Sequence, residues 1–295
     1  MTTHFTGSIT ALLTPFKNGE VDYKAFEKFV NWQIKEGTNG LVPCGTTGES
    51  PTLDFDEHNK VVEACVKAAK GRVPVIAGTG ANSTDEAIYL SKHAEKVGAD
   101  ALLIVAPYYN KPTQEGLYQH YKAINDAVKT PIILYNVPGR SVADIKNETV
   151  ERLLNLKNIL GMKDATGDLE RISLLRPAYA KKKGFCYLGG DDALALPFAV
   201  LGACGTISVT SNIAPKLCAQ LQAHLAKGDY ASALKIHDKL MPLHDAMFAE
   251  SSPGPVKYAA KLLGLCDGSV KLPLVEISKP TQEIVKKAMK HAGLI

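Results

Sequence analysis

The chain has 295 residues, 45% hydrophobic and 22% charged, the composition of an ordinary globular protein that can bury a large core without cross-links. Its formal net charge is only +4 and its basic residues are scattered; the densest run, Lys181-Lys182-Lys183, reads as a solvated helix end before a strand. No basic stripe, aromatic-interleaved patch or bilayer-length apolar run is present, which sets aside nucleic-acid partners and membrane insertion.

Short apolar, β-branched segments alternate with segments of helical period along the chain. Ser8 to Leu13 is the first strand, and Asp22 then opens a helix on Phe26, Phe29, Val30 and Ile34 that stops at Gly37. Gly40 to Cys44 follows as a strand, and Asp54 and Glu57 precede a helix on Val61, Cys65 and Ala68. Pro74 to Gly78 is the third strand. Ser83 and Glu86 form the S-x-x-E of a capping box ahead of Ala87, Leu90, Ala94 and Val97. The strands Ala101 to Ala106, Pro131 to Tyr135, Ile159 to Lys163, Phe185 to Leu188 and Gly205 to Val209 complete the set. Helical segments follow Thr113, Asn147, Asp168, Asp192 and Pro215.

Most of these strands lack polar alternation, as expected where a parallel sheet is covered on both faces. Eight strand–helix units predict an α/β fold, a (β/α)8 TIM barrel. A doubly wound open sheet competes, but no G-x-G-x-x-G opens a helix; Gly78-Thr79-Gly80 has only its first half. From about Gly228 the chain is helical, with Ala231 to Leu240 and Val256 to Leu263. The expected organisation is a catalytic barrel over residues 1–227 and a C-terminal helical extension over 228–295, packed on the barrel or on a neighbour.

The six cysteines (Cys44, Cys65, Cys186, Cys204, Cys218 and Cys266) show no C-x-x-C spacing, and several lie in apolar runs. Reduced thiols there behave as small hydrophobes, which points to a reducing compartment. No basic segment followed by a long apolar stretch opens the chain, so the expected location is the cytoplasm.

In a barrel of this kind the chemistry sits where strands end and the following loops begin. Those positions hold Gly45-Thr46-Thr47-Gly48-Glu49-Ser50, Pro107-Tyr108-Tyr109-Asn110, Tyr135 to Arg140, Lys163 to Gly167, and Gly189-Gly190-Asp191-Asp192. Lys163 ends an apolar run, so its amine points into the mouth. Desolvation there disfavours an ammonium, as an imine-forming amine requires. The competing reading is a strand-end lysine paired with a carboxylate such as Asp164. Tyr135 ends the neighbouring strand and can shuttle protons, with Thr46 and Tyr108 or Tyr109 extending the hydroxyl chain; strand-end packing is the other reading. Gly45-Thr46-Thr47-Gly48 can present N–H groups and hydroxyls to a carboxylate, or be a simple turn. Arg140 suits bidentate capture of a second carboxylate, or is a surface arginine.

The histidines His58, His93, His120 and His237 fall on helices without H-E-x-x-H or a Cys/His cluster, so no catalytic metal is expected. No G-x-S-x-G elbow is present.

Gly45-Thr46-Thr47-Gly48-Glu49, Tyr135-Asn136-Val137-Pro138 and Gly161-Met162-Lys163-Asp164-Ala165-Thr166-Gly167, in that order, resemble the pyruvate-dependent class I aldolases of the dihydrodipicolinate synthase and N-acetylneuraminate lyase superfamily. The resemblance runs from about Phe5 to Leu294. It implies a Schiff base between Lys163 and pyruvate, and attack of the enamine on L-aspartate 4-semialdehyde. It also implies a proton relay of Thr46, Tyr135 and Tyr109, the last reaching in from a neighbouring subunit. Thr47, Arg140, Gly190 and Ile207 are the implied substrate contacts, the implied assembly is a homotetramer, a dimer of tight dimers, and the resemblance implies no cofactor. Thr47, Pro107-Tyr108-Tyr109-Asn110 and Arg140 favour this substrate pair over a sialic-acid lyase or a sugar-acid aldolase; a barrel that only binds small acids is a further alternative. Ser50, His58, Asn82, Glu86 and Tyr108 match positions of an L-lysine inhibitory site, whereas Pro51 and Phe55 depart from its pattern. Ser251-Ser252-Pro253-Gly254-Pro255 departs too, from an Asn-Pro-type sequence frequent there.

Overall fold

The computed structural model describes residues 5–295; residues 1–4 of the segment expected to form the barrel lie outside them. Eight parallel strands form the ring: β1 (Gly7–Ala11), β2 (Gly40–Val42), β3 (Ile76–Gly78), β4 (Ala101–Val105), β5 (Ile132–Asn136), β6 (Ile159–Asp164), β7 (Cys186–Gly189) and β8 (Gly205–Ser208). Each pairs with its chain neighbour, and β8 pairs with β1. The seam between β2 and β3 is closed by a single parallel bridge, Leu41 with Val75, and by Gly78 N donating to Pro43 O at 2.9 Å. The backbones approach so closely here that a Cβ on Gly78 would lie 2.2 Å from Cys44 O, which requires the glycine. The open doubly wound sheet is thereby set aside.

The helices between strands are α1 (Tyr23–Lys35), α2 (Phe55–Ala69), α3 (Thr84–Lys96), α4 (Gln114–Ala127), α5 (Asn147–Leu153), α6 (Leu169–Tyr179), α7 (Ala195–Val200) and α8 (Pro215–Ala226). Asp22 caps α1 by accepting from Ala25 N at 2.9 Å. The full capping box forms at Asp54 and Glu57. At Ser83 only half of the expected box is present: its hydroxyl accepts from Glu86 N at 3.4 Å, while the Glu86 carboxylate does not return the bond. The segment after Asp192 begins as a turn of 3-10 helix, Asp192–Leu194, before α7.

Alternation along the strands divides the core into two layers. Ile9, Ala11, Ile133, Tyr135, Leu188 and Ile207 point into the ring, with Phe5 beside them. Ile132, Leu134, Leu102, Ile104 and Met162 point outward against the helices. Beyond the ring, α9 (Tyr230–Ala246), α10 (Gly254–Leu262) and α11 (Lys279–Ala292) follow. Helix α9 packs against α8 and α11, and α10 against α11 and the 3-10 turn Thr210–Asn212. Helix α11 and the small hairpin Phe16–Lys17/Glu20–Val21 went unrecognised in the sequence, although Val285, Ala288, Met289 and Ala292 do bury at helical spacing. No helix among the described residues is long and apolar enough to cross a membrane.

Candidate active site

Tyr135 and Lys163 are direct cross-strand partners on β5 and β6. Both point inward by the same alternation, so the Lys163 amine lies 4.0 Å from the centroid of the Tyr135 ring, a cation–π distance. Lys163 is 6% exposed, held at the base of a cavity of about 420 Å³ at the carboxyl end of the ring. Gly190 makes room for it: a Cβ there would lie 3.1 Å from Lys163 Cε and 2.8 Å from Ala165 Cβ.

The pairing of Lys163 with Asp164 does not occur. The Asp164 side chain points to the opposite face of β6, fully buried, where it accepts from Thr166 N (2.8 Å) and Thr166 Oγ1 (2.6 Å), and from the Tyr187 hydroxyl. Arg171 Nε, 3.2 Å away, neutralises it. A strand-end carboxylate next in sequence is thus spent on the packing layer, and the lysine keeps the mouth to itself.

The loop after β2 is a compact turn. Gly48 N donates to Gly45 O and Glu49 N to Thr46 O, both at 3.1 Å, while Thr14 Oγ1 donates to Gly48 O at 2.7 Å. One of the N–H groups expected to face an anion, that of Gly48, is therefore used inside the turn. Those of Thr46 and Thr47 take no part in these bonds, and both residues border the cavity. Arg140 is exposed on a one-turn helix, Pro138–Ser141, directly after β5, and borders the cavity as well.

Two predicted residues lie elsewhere. Tyr109 is 88% exposed, with φ of 73°, and borders neither this cavity nor the adjoining one; within one chain it does not join Thr46 and Tyr135. Ile207 is buried in the inner layer, one inward position below Val209, and it is Val209 that borders the cavity.

A second cavity of about 260 Å³ shares Gly45, Thr46, Leu103, Tyr135, Val137 and Arg140 with the first. Ser50, Pro51 and Tyr108 border it. His58 Nε2 donates to the carbonyl of Gly78, another of its wall residues, at 2.9 Å. Burial pushes the His58 imidazole down to about 4, and its Nδ1 is left as a buried acceptor with no partner. Burial, then the Glu86 carboxylate, raises the Tyr108 phenol, which also meets the backbone of Asn82. Of the five residues matched to an inhibitory site, Ser50 and Tyr108 thus line the cavity, His58 stands behind Gly78, and Asn82 and Glu86 adjoin Tyr108. Phe55 stacks edge-on against Tyr89 at 5.3 Å and is half exposed.

The far wall of the main cavity was not legible from strand ends alone. His244, Asp245, Phe248 and Ser252, all from the C-terminal extension, line it beside Asp191. Burial, opposed by the Ala193 N–H, raises the Asp191 carboxyl above its ordinary range. Asp191 stood in the strand-end set and Ser252 in a stretch that departs from the family pattern, both without a role; His244, Asp245 and Phe248 carry no motif and are found only by packing.

A model of the dihydrodipicolinate synthetase family matches residues 4–292. The chain belongs to the dihydrodipicolinate synthetase family. It is 60% identical to the 4-hydroxy-tetrahydrodipicolinate synthase of Bradyrhizobium diazoefficiens, over 99% of this chain and 98% of that one. Among solved structures, the chloride-inhibited dihydrodipicolinate synthase of Acinetobacter baumannii complexed with pyruvate is 49% identical, with a TM-score of 0.95 over 98% of this chain and 99% of that one. The enzyme of Cyanidioschyzon merolae with lysine bound is 39% identical, with a TM-score of 0.95 over 99% of this chain and all of that one. Membership of this family also accounts for the eightfold ring and for the helices that follow it.

Proposed function

We propose that the chain condenses pyruvate with L-aspartate 4-semialdehyde through a Schiff base on Lys163, giving 4-hydroxy-tetrahydrodipicolinate for lysine and diaminopimelate biosynthesis. The observation that carries this reading is one buried amine, with no carboxylate partner among the described residues, in a cavity rimmed by threonines and an arginine. The relatives' shared name and the pyruvate complex of the Acinetobacter baumannii protein support the substrate pair.

The Lys163 nitrogen attacks the pyruvate ketone, and the carbinolamine loses water to give the imine. Loss of a C3 proton forms the enamine, whose carbon attacks the aldehyde. The amino group of the second substrate then attacks the imine carbon, the ring closes, and Lys163 leaves as the amine. Thr46, Tyr135 and Tyr109 relay the protons, Tyr109 from a neighbouring subunit; its outward position on the free chain suits that role. Thr47 and Arg140 hold the substrate carboxylates, with Gly190 as a further substrate contact. The assembly that supplies Tyr109 is a homotetramer built from tight dimers. The free state of all six cysteines fits a cytoplasmic enzyme.

The Ser50, His58, Asn82, Glu86 and Tyr108 set is the proposed L-lysine site, supported by the lysine-bound Cyanidioschyzon merolae relative. An L-lysine titration with no saturable site at millimolar concentrations would sink it.

Borohydride reduction with pyruvate, followed by peptide mass spectrometry, tests the reaction. A pyruvate adduct on Lys163 is expected, and none in Lys163→Ala. Wild-type protein that traps nothing would leave only a barrel that binds small acids.

A further inference from the structure

The opposite end of the ring holds a second piece of chemistry that the reaction does not use. Cys186 opens β7, and Cys204 sits just before β8, where its N–H donates to Tyr187 O at 2.9 Å. Both sulfurs turn to the floor of the barrel. Cys204 Sγ lies 3.4 Å from Phe5 O and 3.3 Å from Tyr187 O, and Cys186 Sγ lies 3.4 Å from Leu160 O. Cys204 Sγ thus lies against the backbone of Tyr187, the residue next to Cys186, so the two thiols stand on neighbouring strand starts. Gly161 admits the Cys186 sulfur, which would be only 2.5 Å from a Cβ at that position.

The pair differs from the other four cysteines in what surrounds it. Cys44, Cys65 and Cys218 are buried, and burial raises each thiol. Cys266 is half-buried, with its thiol raised by burial. Cys204 instead borders an open cavity of about 440 Å³ at the amino end of the strands, with Gly7, Asn39, Lys216 and Gln222 among its walls. The neighbouring Cys186 thiol holds the Cys204 thiol below its ordinary range.

We propose that Cys204 and Cys186 form a peroxide-sensitive dithiol, with Cys204 as the attacked sulfur and Cys186 as the resolving one. The Cys204 thiolate attacks hydrogen peroxide: an S–O bond forms, the O–O bond breaks, and one water leaves. Cys186 then attacks the sulfenic sulfur, an S–S bond forms, the S–O bond breaks, and a second water leaves. The sulfurs lose two electrons in total and the peroxide gains them. The product disulfide ties the start of β7 to the start of β8.

Treatment of the native full-length protein with hydrogen peroxide, then denaturation and alkylation, reads this directly. Both thiols lie on the tryptic peptide Gly184–Lys216. That peptide is expected to lose about 2 Da and to escape alkylation, while Cys266 stays alkylated. Cys186→Ser removes the resolving sulfur, so a dimedone adduct should appear on Cys204. Cys204→Ser should leave Cys186 unmodified. Oxidation of Cys266 before the pair, or no dimedone adduct in Cys186→Ser, would overturn the assignment.

Discussion

Lys257 Nζ lies 2.5 Å from Glu49 Oε1, and the two side chains are 0% and 1% exposed. Glu49 directly follows the threonine turn in a left-handed backbone conformation (φ 57°), and its second oxygen accepts from Lys271 N at 2.9 Å. Lys257 also donates to Ser269 O at 2.7 Å and stands 3.9 Å over the Phe16 ring. The C-terminal extension thus grips the loop that carries Thr46 and Thr47.

Lys257→Met leaves the Glu49 carboxylate buried without its cation, so a loss of about 3–5 kcal/mol is expected in urea unfolding. Adding Glu49→Gln removes the stranded charge and should restore part of that loss. A double variant no more stable than Lys257→Met would show that the pair is not the coupling element.

Tyr135→Phe keeps the ring beneath Lys163 and removes only the hydroxyl. Imine formation should slow about a hundred- to ten-thousand-fold while pyruvate still binds. Stopped-flow imine formation at the wild-type rate would remove Tyr135 from the relay.

Arg140→Ala should leave trapping with pyruvate intact and raise KM for the aldehyde roughly ten- to hundredfold, the loss of one charge-assisted contact. Equal loss of pyruvate trapping in Arg140→Ala and Lys163→Ala would contradict the separate roles.

Gly190→Ala puts a methyl 3.1 Å from Lys163 Cε and 2.9 Å from Asp164 O. The lysine must move, and a fall of about a hundredfold in turnover is expected, with about 1–3 kcal/mol of destabilisation. Unchanged turnover would mean that Lys163 does not need its present position.

Burial holds His58 and His120 neutral, each pushed down to about 4 from an ordinary value of 6.5. Between those values the unfolded chain binds protons that the folded chain refuses. Stability is therefore full above pH 6.5, falls as the pH drops through this window, and levels off below 4. The contribution is on the order of 3 kcal/mol for each histidine. Urea unfolding of His120→Asn, which can keep the bond to Thr84 made by Nδ1, should show a shallower slope between pH 6.5 and 4.5. An unaltered slope would refute the assignment for that residue.

The fold and the reacting amine were legible because both follow from local rules. Apolar runs without alternation gave eight buried strands, and the period of two put Tyr135 and Lys163 on one face of neighbouring strands. The same alternation puts Asp164, one residue away, on the other face and so keeps it from Lys163; its actual partner Arg171, 3.2 Å from it, was not legible. Nor were the contacts that span the chain, such as Lys257 with Glu49 or the wall from His244 to Ser252. Those depend on how α9 and α10 dock, which no spacing within either helix records. Tyr109 shows the same limit from another side: its ring is 88% exposed on the single chain, and the role proposed for it calls for a second chain.

The far wall of the cavity is translated after every strand of the ring. The strands and their helices therefore leave one side of the cavity unwalled by themselves, and the enclosure around Lys163 is completed by residues from the last fifth of the sequence.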